Sequence, residues 1–207
     1  GQAQLAAVMR AQQELPHGQL AIVWNKSFRE HSIVGTQPLS VRQEADDAVQ
    51  ARGWQGQYFV DADHISLKTV DLFLPYSDFY TLDVADFVGK PADAQAIEAF
   101  VAGHRQFLGP LPVTGLSAPV TVTETMLRDC AGKYLLAVQE AGKLYRHIEA
   151  AKGKNQVVIE VSMDETDRPQ TPAELFFILS MVAAEKIPAQ TIAPKFKGKQ
   201  VALIVTV

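Results

Sequence analysis

Acidic side chains and a histidine close one apolar segment of the sequence in a pattern that suits catalysis. Residues 57–60 are followed directly by Asp61-Ala62-Asp63-His64. A histidine binds a divalent metal through a ring nitrogen, and a neighbouring carboxylate can move a proton on a group that the metal polarises. We therefore interpret residues 61–64 as the core of an active site, with a hydrogen-bonded turn as the structural alternative.

Polar side chains also accompany three other apolar segments. They are Asn25, Lys26, Arg29 and His31 after residues 20–24, Asp83 at the end of residues 78–84, and Glu160 within residues 157–162. Arginine and lysine suit a carboxylate ligand, since the guanidinium group binds a carboxylate in bidentate fashion. Glu160 should have a cationic or metal partner, because an unpaired charge inside an apolar strand is costly. The structural alternatives are a solvated loop for the first group, a cap for Asp83 and an ion pair for Glu160.

Helical and extended patterns alternate along the chain and should place these residues at the ends of strands. The spacing of apolar residues predicts helices at 3–15, 40–53, 92–107, 123–151 and 171–184, and strands at 20–24, 57–63, 78–84, 157–162, 190–193 and 201–207. Ser40 with Gln43, and Thr171 with Glu174, have the spacing of a capping box. The Pro- and Gly-rich stretch 109–119 predicts a loop.

The alternation predicts an α/β fold with a parallel sheet, either doubly wound or a (β/α) barrel. The chain has 207 residues, fewer than the roughly 250 of a typical eight-stranded barrel. We expect about six strands and one catalytic domain over residues 1–207, with a TIM-barrel-like sheet that is partial or truncated. Because reactive groups lie at the carboxyl ends of the strands in both architectures, the polar residues should share one rim.

Composition argues against several classes of partner. The formal net charge is −4, and no run of Lys or Arg suggests a nucleic-acid surface. No apolar run approaches the roughly 18 residues that a membrane span needs. The single cysteine, Cys130, allows no internal disulfide and is expected to be a small buried side chain within a helix. We expect a cytoplasmic protein that binds neither nucleic acid nor membrane.

Four segments of the sequence form an ordered set of motifs. They are residues 23–31 (VWNKSFREH), 58–64 (YFVDADH), 78–86 (DFYTLDVAD) and 160–166 (EVSMDET). They resemble successive blocks of the tagaturonate/fructuronate epimerase family, and the resemblance extends from near residue 1 to about Gly198. It implies a divalent-metal-dependent TIM-barrel enzyme that interconverts two keto-hexuronates at C4. The Asp63-His64 pair also resembles the Asp-His pair of metal-dependent class II aldolases.

The resemblance implies a role for each candidate residue. His64 would bind a divalent cation such as zinc, manganese or iron, while Asp63 takes a proton. Glu160 would either return the proton on the other face of the substrate or complete the metal site. Substrate binding would fall to Asn25, Lys26, Arg29, His31, Asp61 and Asp83, acting on the hydroxyl and carboxylate groups of a small sugar acid. Reversible carbon–carbon cleavage and direct deprotonation are both consistent with the sequence.

Two blocks of the longer family members are not in this sequence. One is a glycine-rich Gly-Asp-Arg block, and the other is a His-Ser-Gly-Ser-Asp-Lys block that would supply another metal-binding histidine. We therefore expect a fragment of such a barrel. A class II aldolase-like lyase and an inactive truncated barrel that binds a sugar acid are the alternatives. The oligomeric state, a homo-oligomer included, stays open.

Overall fold

The computed structural model describes residues 1–15, 19–164 and 166–195. The strands in this part of the chain are β1 (Ile22–Ser27), β2 (Tyr58–Ile65), β3 (Phe79–Asp83), β4 (Gly109–Leu111), β5 (Val120–Val122), β6 (Val158–Met163) and β7 (Thr191–Pro194). The α-helices are α1 (Gln2–Glu14), α2 (Phe28–Val34), α3 (Pro38–Arg52), α4 (Ala94–Gly103), α5 (Glu124–Lys152) and α6 (Pro172–Ala184). The strand predicted at 201–207 lies outside the described residues.

Five strands form one sheet in the order β1-β2-β3-β6-β7, and β4 and β5 form a separate antiparallel pair. β1 pairs with β2 in parallel, with Ile22 opposite Tyr58 and Ser27 opposite Asp63. β2 also pairs with β3 in parallel. The predicted α/β fold with a parallel sheet is confirmed. Among the described residues the sheet contains the other five predicted strands and is not closed into a barrel.

The chain divides into two compact units, one of residues 1–82 with 147–160 and the other of residues 83–146 with the chain after 160. In the first unit, α3 packs against β1 and β2, and α1 packs against α3. The apolar core there consists of Leu5, Ile22, Trp24, Val41, Ala45, Ala48 and Val60. Alanine at two of the helix positions lets the α3 backbone approach the sheet closely. The expectation of one catalytic domain over residues 1–207 stays a prediction.

Helix α3 begins earlier than the sequence pattern indicated. Pro38 occupies its first turn and Gln37 is the N-cap, so Ser40 lies inside the helix and the capping box predicted there is wrong. Proline suits this position because its fixed φ is already helical. An N–H at the first helical position would have no partner within the helix, so proline loses no hydrogen bond there. The helix ends at Gly53, whose φ of 61° gives the left-handed conformation of a C-cap.

A short helix, α2, follows β1 directly. Ser27 caps it, because its Oγ accepts from the amide of Glu30 while the Glu30 carboxylate accepts from the amide of Ser27. The helix ends at Gly35, which has φ 67°. Of the four polar residues for which a solvated loop was considered, Asn25 and Lys26 therefore lie in β1, and Arg29 and His31 stand on this capped helix.

Helix α5 is one unbroken helix of 29 residues. In the second unit, α6 begins with the predicted capping box of Thr171 and Glu174. Cys130 is buried in α5, as expected, and burial raises the pKa of its thiol to about 12. The stretch predicted as a loop from 109 contains the short β4–β5 pair. Within the described part of the chain, no helix combines the length and the apolar character that a membrane crossing requires.

One carboxylate links the helix and strands of the first unit. Asp78 accepts a hydrogen bond from Arg42 Nη2 at 2.6 Å and another from the amide of Val60 at 2.7 Å. The carbonyl oxygen of Asp78 accepts from the amide of Val158 at 3.0 Å. Arg42 is largely buried, since 20% of its side chain is exposed. Asp78 thus holds α3, β2 and the start of β6 at the beginning of β3.

We predict that Asp78→Ala lowers the free energy of unfolding by about 2 kcal/mol, because it leaves a strand amide without its acceptor and removes one acceptor of a largely buried guanidinium. Arg42 keeps its hydrogen bonds to the Tyr76 carbonyl and to Asp46. Urea denaturation measures this change. The control is Glu14→Ala, which removes a fully solvated partner 4.0 Å from Arg10 and should cost less than about 0.5 kcal/mol. Equal effects of the two substitutions would contradict the linking role of Asp78.

Candidate active site

Asp63 and His64 lie on an irregularity of β2 that faces β3. Ala62 is opposite Tyr80, but Ile65 is opposite Leu82, so β2 carries two residues where β3 carries one. His64 has a φ of 49°, a left-handed conformation that is uncommon for residues other than glycine. Such bulges redirect side chains and are frequent beside active sites.

The two residues of the bulge are hydrogen-bonded to each other. His64 Nδ1 lies 2.6 Å from Asp63 Oδ1, with 36% of the histidine side chain and 15% of the aspartate side chain exposed. A carboxylate in this position favours the tautomer with the proton on Nδ1, which puts the lone pair on Nε2. Metal-binding histidines are oriented by carboxylates in the same way. The pair therefore has the chemistry of one metal ligand with its orienting group, or of a coupled proton donor and acceptor.

Asp61 is buried and bonded to the neighbouring strand. Asp61 is only 6% exposed. Its Oδ1 accepts from the amide of Thr81 at 3.1 Å, and its Oδ2 accepts from the Thr81 hydroxyl at 2.8 Å. Burial raises the pKa of this carboxyl to about 7, opposed by the Thr81 hydrogen bonds and reinforced by the negative charges of Asp63 and Glu160. The role in substrate binding predicted for Asp61 stays a prediction, since both of its oxygens contact Thr81.

Glu160 is half-buried in β6 and near enough for its charge to raise the pKa of Asp61. The structure thus brings Asp61, Asp63 and Glu160 into one electrostatic group beside His64. The catalytic roles predicted for Asp63 and Glu160 are consistent with this placement and stay predictions.

The polar end of β1 reaches the same edge of the sheet. Asn25 lies opposite Asp61 and Lys26 opposite Ala62, so the expected common rim is confirmed for these strands. Asn25 and Arg29 are exposed and Lys26 is half-buried. These side chains remain candidates for binding an anionic substrate.

His31 occupies a different environment from its neighbours. It is 4% exposed, its Nδ1 lies 2.9 Å from Thr36 Oγ1, and its ring contacts that of Phe73 with centroids 5.9 Å apart. Burial, followed by the positive charge of Lys26, lowers the pKa of its imidazole. His31 therefore packs α2 in the structure, and its predicted role in substrate binding stays a prediction.

Asp83 belongs to the second unit, where it ends β3. Its Oδ1 accepts from the amide of Ala85 at 2.9 Å and so caps the short turn at 85–87. This is the structural alternative considered from the sequence, and it shows what the carboxylate does in the folded chain. A contact between Asp83 and substrate stays a prediction.

The donors needed for a complete metal site are not found among the described residues. In residues 1–15, 19–164 and 166–195, no three side chains of histidine, cysteine, aspartate or glutamate are grouped so as to hold a metal ion. His64 fits the part of a single ligand, whereas a protein site for zinc usually provides at least three. The metal-binding role of His64 stays a prediction.

Sequence reasoning did not identify Thr81 as part of the site. Val60, Asp61, Ala62 and Ile65 are all buried in β2, so this strand shows no alternation between a buried and an exposed face that a bulge would interrupt. The group that compensates for the bulge, on β3, could not be found from β2 alone.

We predict that Asp61→Asn changes the pH dependence of stability. The raised pKa means that the folded protein holds a proton between about pH 4 and about pH 7 that the unfolded chain has released, so wild-type stability falls as pH rises through this window. The asparagine variant lacks this loss, and its stability relative to wild type should rise by up to about 1.4 kcal/mol per pH unit.

Urea denaturation at several pH values between about 4 and 8 measures the difference. Asp47→Asn, at an exposed position of α3, is the matched control and should follow the wild type. A constant difference between Asp61→Asn and wild type across this range would show that Asp61 ionises normally.

Comparison with known proteins gives a consistent result. The family model of UxaE, tagaturonate epimerase, matches residues 17–202. A glycerol complex of fructuronate-tagaturonate epimerase UxaE from Cohnella laeviribosi has a TM-score of 0.69 and 18% identity, covering 87% of this chain and 44% of that chain. The native crystal structure of that enzyme has a TM-score of 0.65 with the same identity and coverage.

The chain therefore spans less than half the length of these solved structures. At 18% identity the structural likeness establishes a shared fold. No curated protein matches the chain. The family model, in contrast, covers most of the sequence and includes all four of the motifs described above. This chain belongs to the tagaturonate epimerase family.

Proposed function

We propose that this chain carries part of the active site of an epimerase that interconverts tagaturonate and fructuronate at C4. The observation that carries the proposal is the hydrogen-bonded Asp63-His64 pair on a bulge of β2, beside the polar end of β1. Family membership supplies the reaction, and the pair supplies groups that can perform it. The substrate is a small sugar acid, and the cytoplasm is the proposed location, in keeping with a single cysteine that forms no internal disulfide.

We also propose that the open sheet is part of a (β/α) barrel. Strands β1, β2, β3, β6 and β7 are neighbours in their order along the chain, without a reversal. A doubly wound sheet reverses its strand order at a switch point, whereas a barrel adds each strand beside the last. The solved relatives are more than twice as long as the matched region, which supports further strands in the whole enzyme.

The proposed chemistry begins with a proton that a base takes from the substrate. Direct deprotonation takes it from C4 and returns it on the opposite face. Reversible carbon–carbon cleavage takes it from the C4 hydroxyl group, inverts C4 when the broken carbon–carbon bond re-forms on the other face of the aldehyde, and returns the proton to the C4 oxygen. Both routes need a positioned base. Asp63 is that base in our proposal, because it is partly exposed and held by His64. Glu160 is the partner that returns the proton, since its charge already acts on the same group of carboxyls.

His64 is the residue that would hold a divalent cation such as zinc, manganese or iron, whose chemistry is to polarise a substrate carbonyl. Its Nδ1 bond to Asp63 leaves it oriented for this through Nε2. Because no three such donors are grouped in the described part of the chain, a complete site would need at least one ligand from outside it. Asn25, Lys26 and Arg29 are the proposed contacts for the substrate hydroxyl and carboxylate groups.

Incubation of the purified chain with tagaturonate and a divalent cation tests the function, with carbon NMR of the products. Fructuronate with all six carbons in one molecule is the expected product. Isolable shorter fragments would instead indicate the class II aldolase-like lyase that the Asp63-His64 pair also resembles. Binding of the sugar acid without any product would indicate an inactive barrel fragment.

We predict that Asp63→Asn lowers turnover by about 10²–10⁴-fold, the usual contribution of a positioned general base. The side chain keeps its shape, so far-ultraviolet circular dichroism should not change. Asp47→Asn, exposed on α3, should turn over like the wild type. Normal turnover in Asp63→Asn would limit Asp63 to orienting His64.

We predict that His64→Ala abolishes retention of the divalent cation. Elemental analysis of the purified wild type and variant after gel filtration measures this. His147→Ala, which removes an exposed histidine paired with Asp71, is the control and should keep the wild-type metal content. Unchanged metal in His64→Ala would rule out the ligand role.

A further inference from the structure

The bulge in β2 has a regular side and an irregular side. Toward β1, the register is unbroken from Ile22 opposite Tyr58 to Ser27 opposite Asp63. Toward β3, the register shifts between Ala62 and Ile65, at the level of Thr81. A shift of this kind leaves a strand amide without its usual carbonyl partner, and a buried amide needs a replacement.

Asp61 supplies that replacement. Its Oδ1 accepts from the amide of Thr81, and its Oδ2 accepts from the hydroxyl of the same residue. Two acceptors on one side chain thus bind two donors of a single residue across the irregular part of the ladder. Val60 and Ala62, on either side of Asp61 in sequence, are buried apolar residues, so the carboxylate stands in a setting that disfavours charge.

We propose that Asp61 is a positioning residue that replaces a strand carbonyl at the bulge and thereby fixes Asp63 and His64. Without it, β2 and β3 could pair in regular register only by moving Asp63 and His64 to opposite faces of the strand, which would separate them. The carboxylate stabilises the irregular pairing instead. The effect of Asp61 on catalysis rests on the proposed function. Its effect on the pairing of β2 with β3 does not.

Asp61 differs from Asp63 in how it would act. Its residue is 6% exposed and both oxygens contact Thr81, so it influences the reaction through the backbone rather than by touching substrate. The side-chain oxygen of asparagine can accept from the Thr81 amide as the carboxylate does. Its NH2 group can donate to the Thr81 hydroxyl oxygen. Asparagine should therefore preserve the bulge, whereas alanine should not.

The first test uses the wild-type chain. NMR detects scalar coupling across a hydrogen bond, here between the Thr81 amide nitrogen and the Asp61 carboxyl carbon. We expect a measurable coupling to Asp61 and none from Thr81 to a backbone carbonyl of β2. Coupling to a backbone carbonyl instead would overturn the proposal whether or not any variant folds.

The second test compares Asp61→Ala, Asp61→Asn and Thr81→Val. In Asp61→Ala, exchange of the Thr81 amide hydrogen should accelerate by about tenfold or more, because the amide loses its hydrogen-bond acceptor. The His64 imidazole nitrogen resonances should also shift. Asp61→Asn should restore both signals. Thr81→Val removes the hydroxyl alone and should keep the amide protected.

Exchange at Trp24 and Ala45, in the core beside β1, controls for general destabilisation and should be unchanged. Wild-type protection of Thr81 together with wild-type His64 resonances in Asp61→Ala would overturn the proposal. If that variant does not fold, the coupling measurement decides.

Turnover adds a third measurement. Asp61→Ala should lower kcat with little effect on KM, and Asp61→Asn should recover most of the loss, since the base and the substrate contacts are kept. A wild-type chain without turnover would contradict the proposed function but leave both NMR tests of the bulge valid. Altered NMR signals with unchanged kcat would restrict Asp61 to a structural role and overturn its catalytic part.

Discussion

The pairing of β2 with β3 is stabilised by two carboxylates that act in opposite directions. Asp78, at the start of β3, accepts from the amide of Val60 in β2, while Asp61 in β2 accepts from the amide of Thr81 in β3. Each acid satisfies a backbone donor of the neighbouring strand, one before the bulge and one at it. The candidate active site depends on this arrangement, because the position of Asp63 and His64 follows from where β2 departs from β3.

The parts of the fold that short-range chemistry determines could be predicted from the sequence. The α6 capping box of Thr171 and Glu174 was identified correctly, since its residues lie three apart and bond only to each other. The same spacing rule would have found α2 from Ser27 and Glu30. It misplaced the start of α3, because the helix begins at Pro38, whose fixed φ suits the first turn, and Ser40 lies inside it. The parallel sheet followed from the alternation of helices and strands, whereas the order of its strands did not.

The environment of each site residue could not be predicted in the same way. Whether His31 meets solvent or Phe73 depends on how α2 packs, which no local pattern encodes. The same holds for Asp61, whose partner Thr81 is 20 residues away and is determined by strand register. Sequence therefore located the acids and the histidine, while their division into buried, bonded and exposed groups came from tertiary pairing.

The left-handed backbone of His64 sets stability and chemistry against each other at a single position. Glycine there would release backbone strain of about 1 kcal/mol. It would also remove the imidazole, so the more stable protein would lack the proposed metal-binding side chain. A β-branched residue would increase the backbone strain and would also lack the imidazole. Selection for thermal stability alone would therefore favour glycine over histidine at position 64.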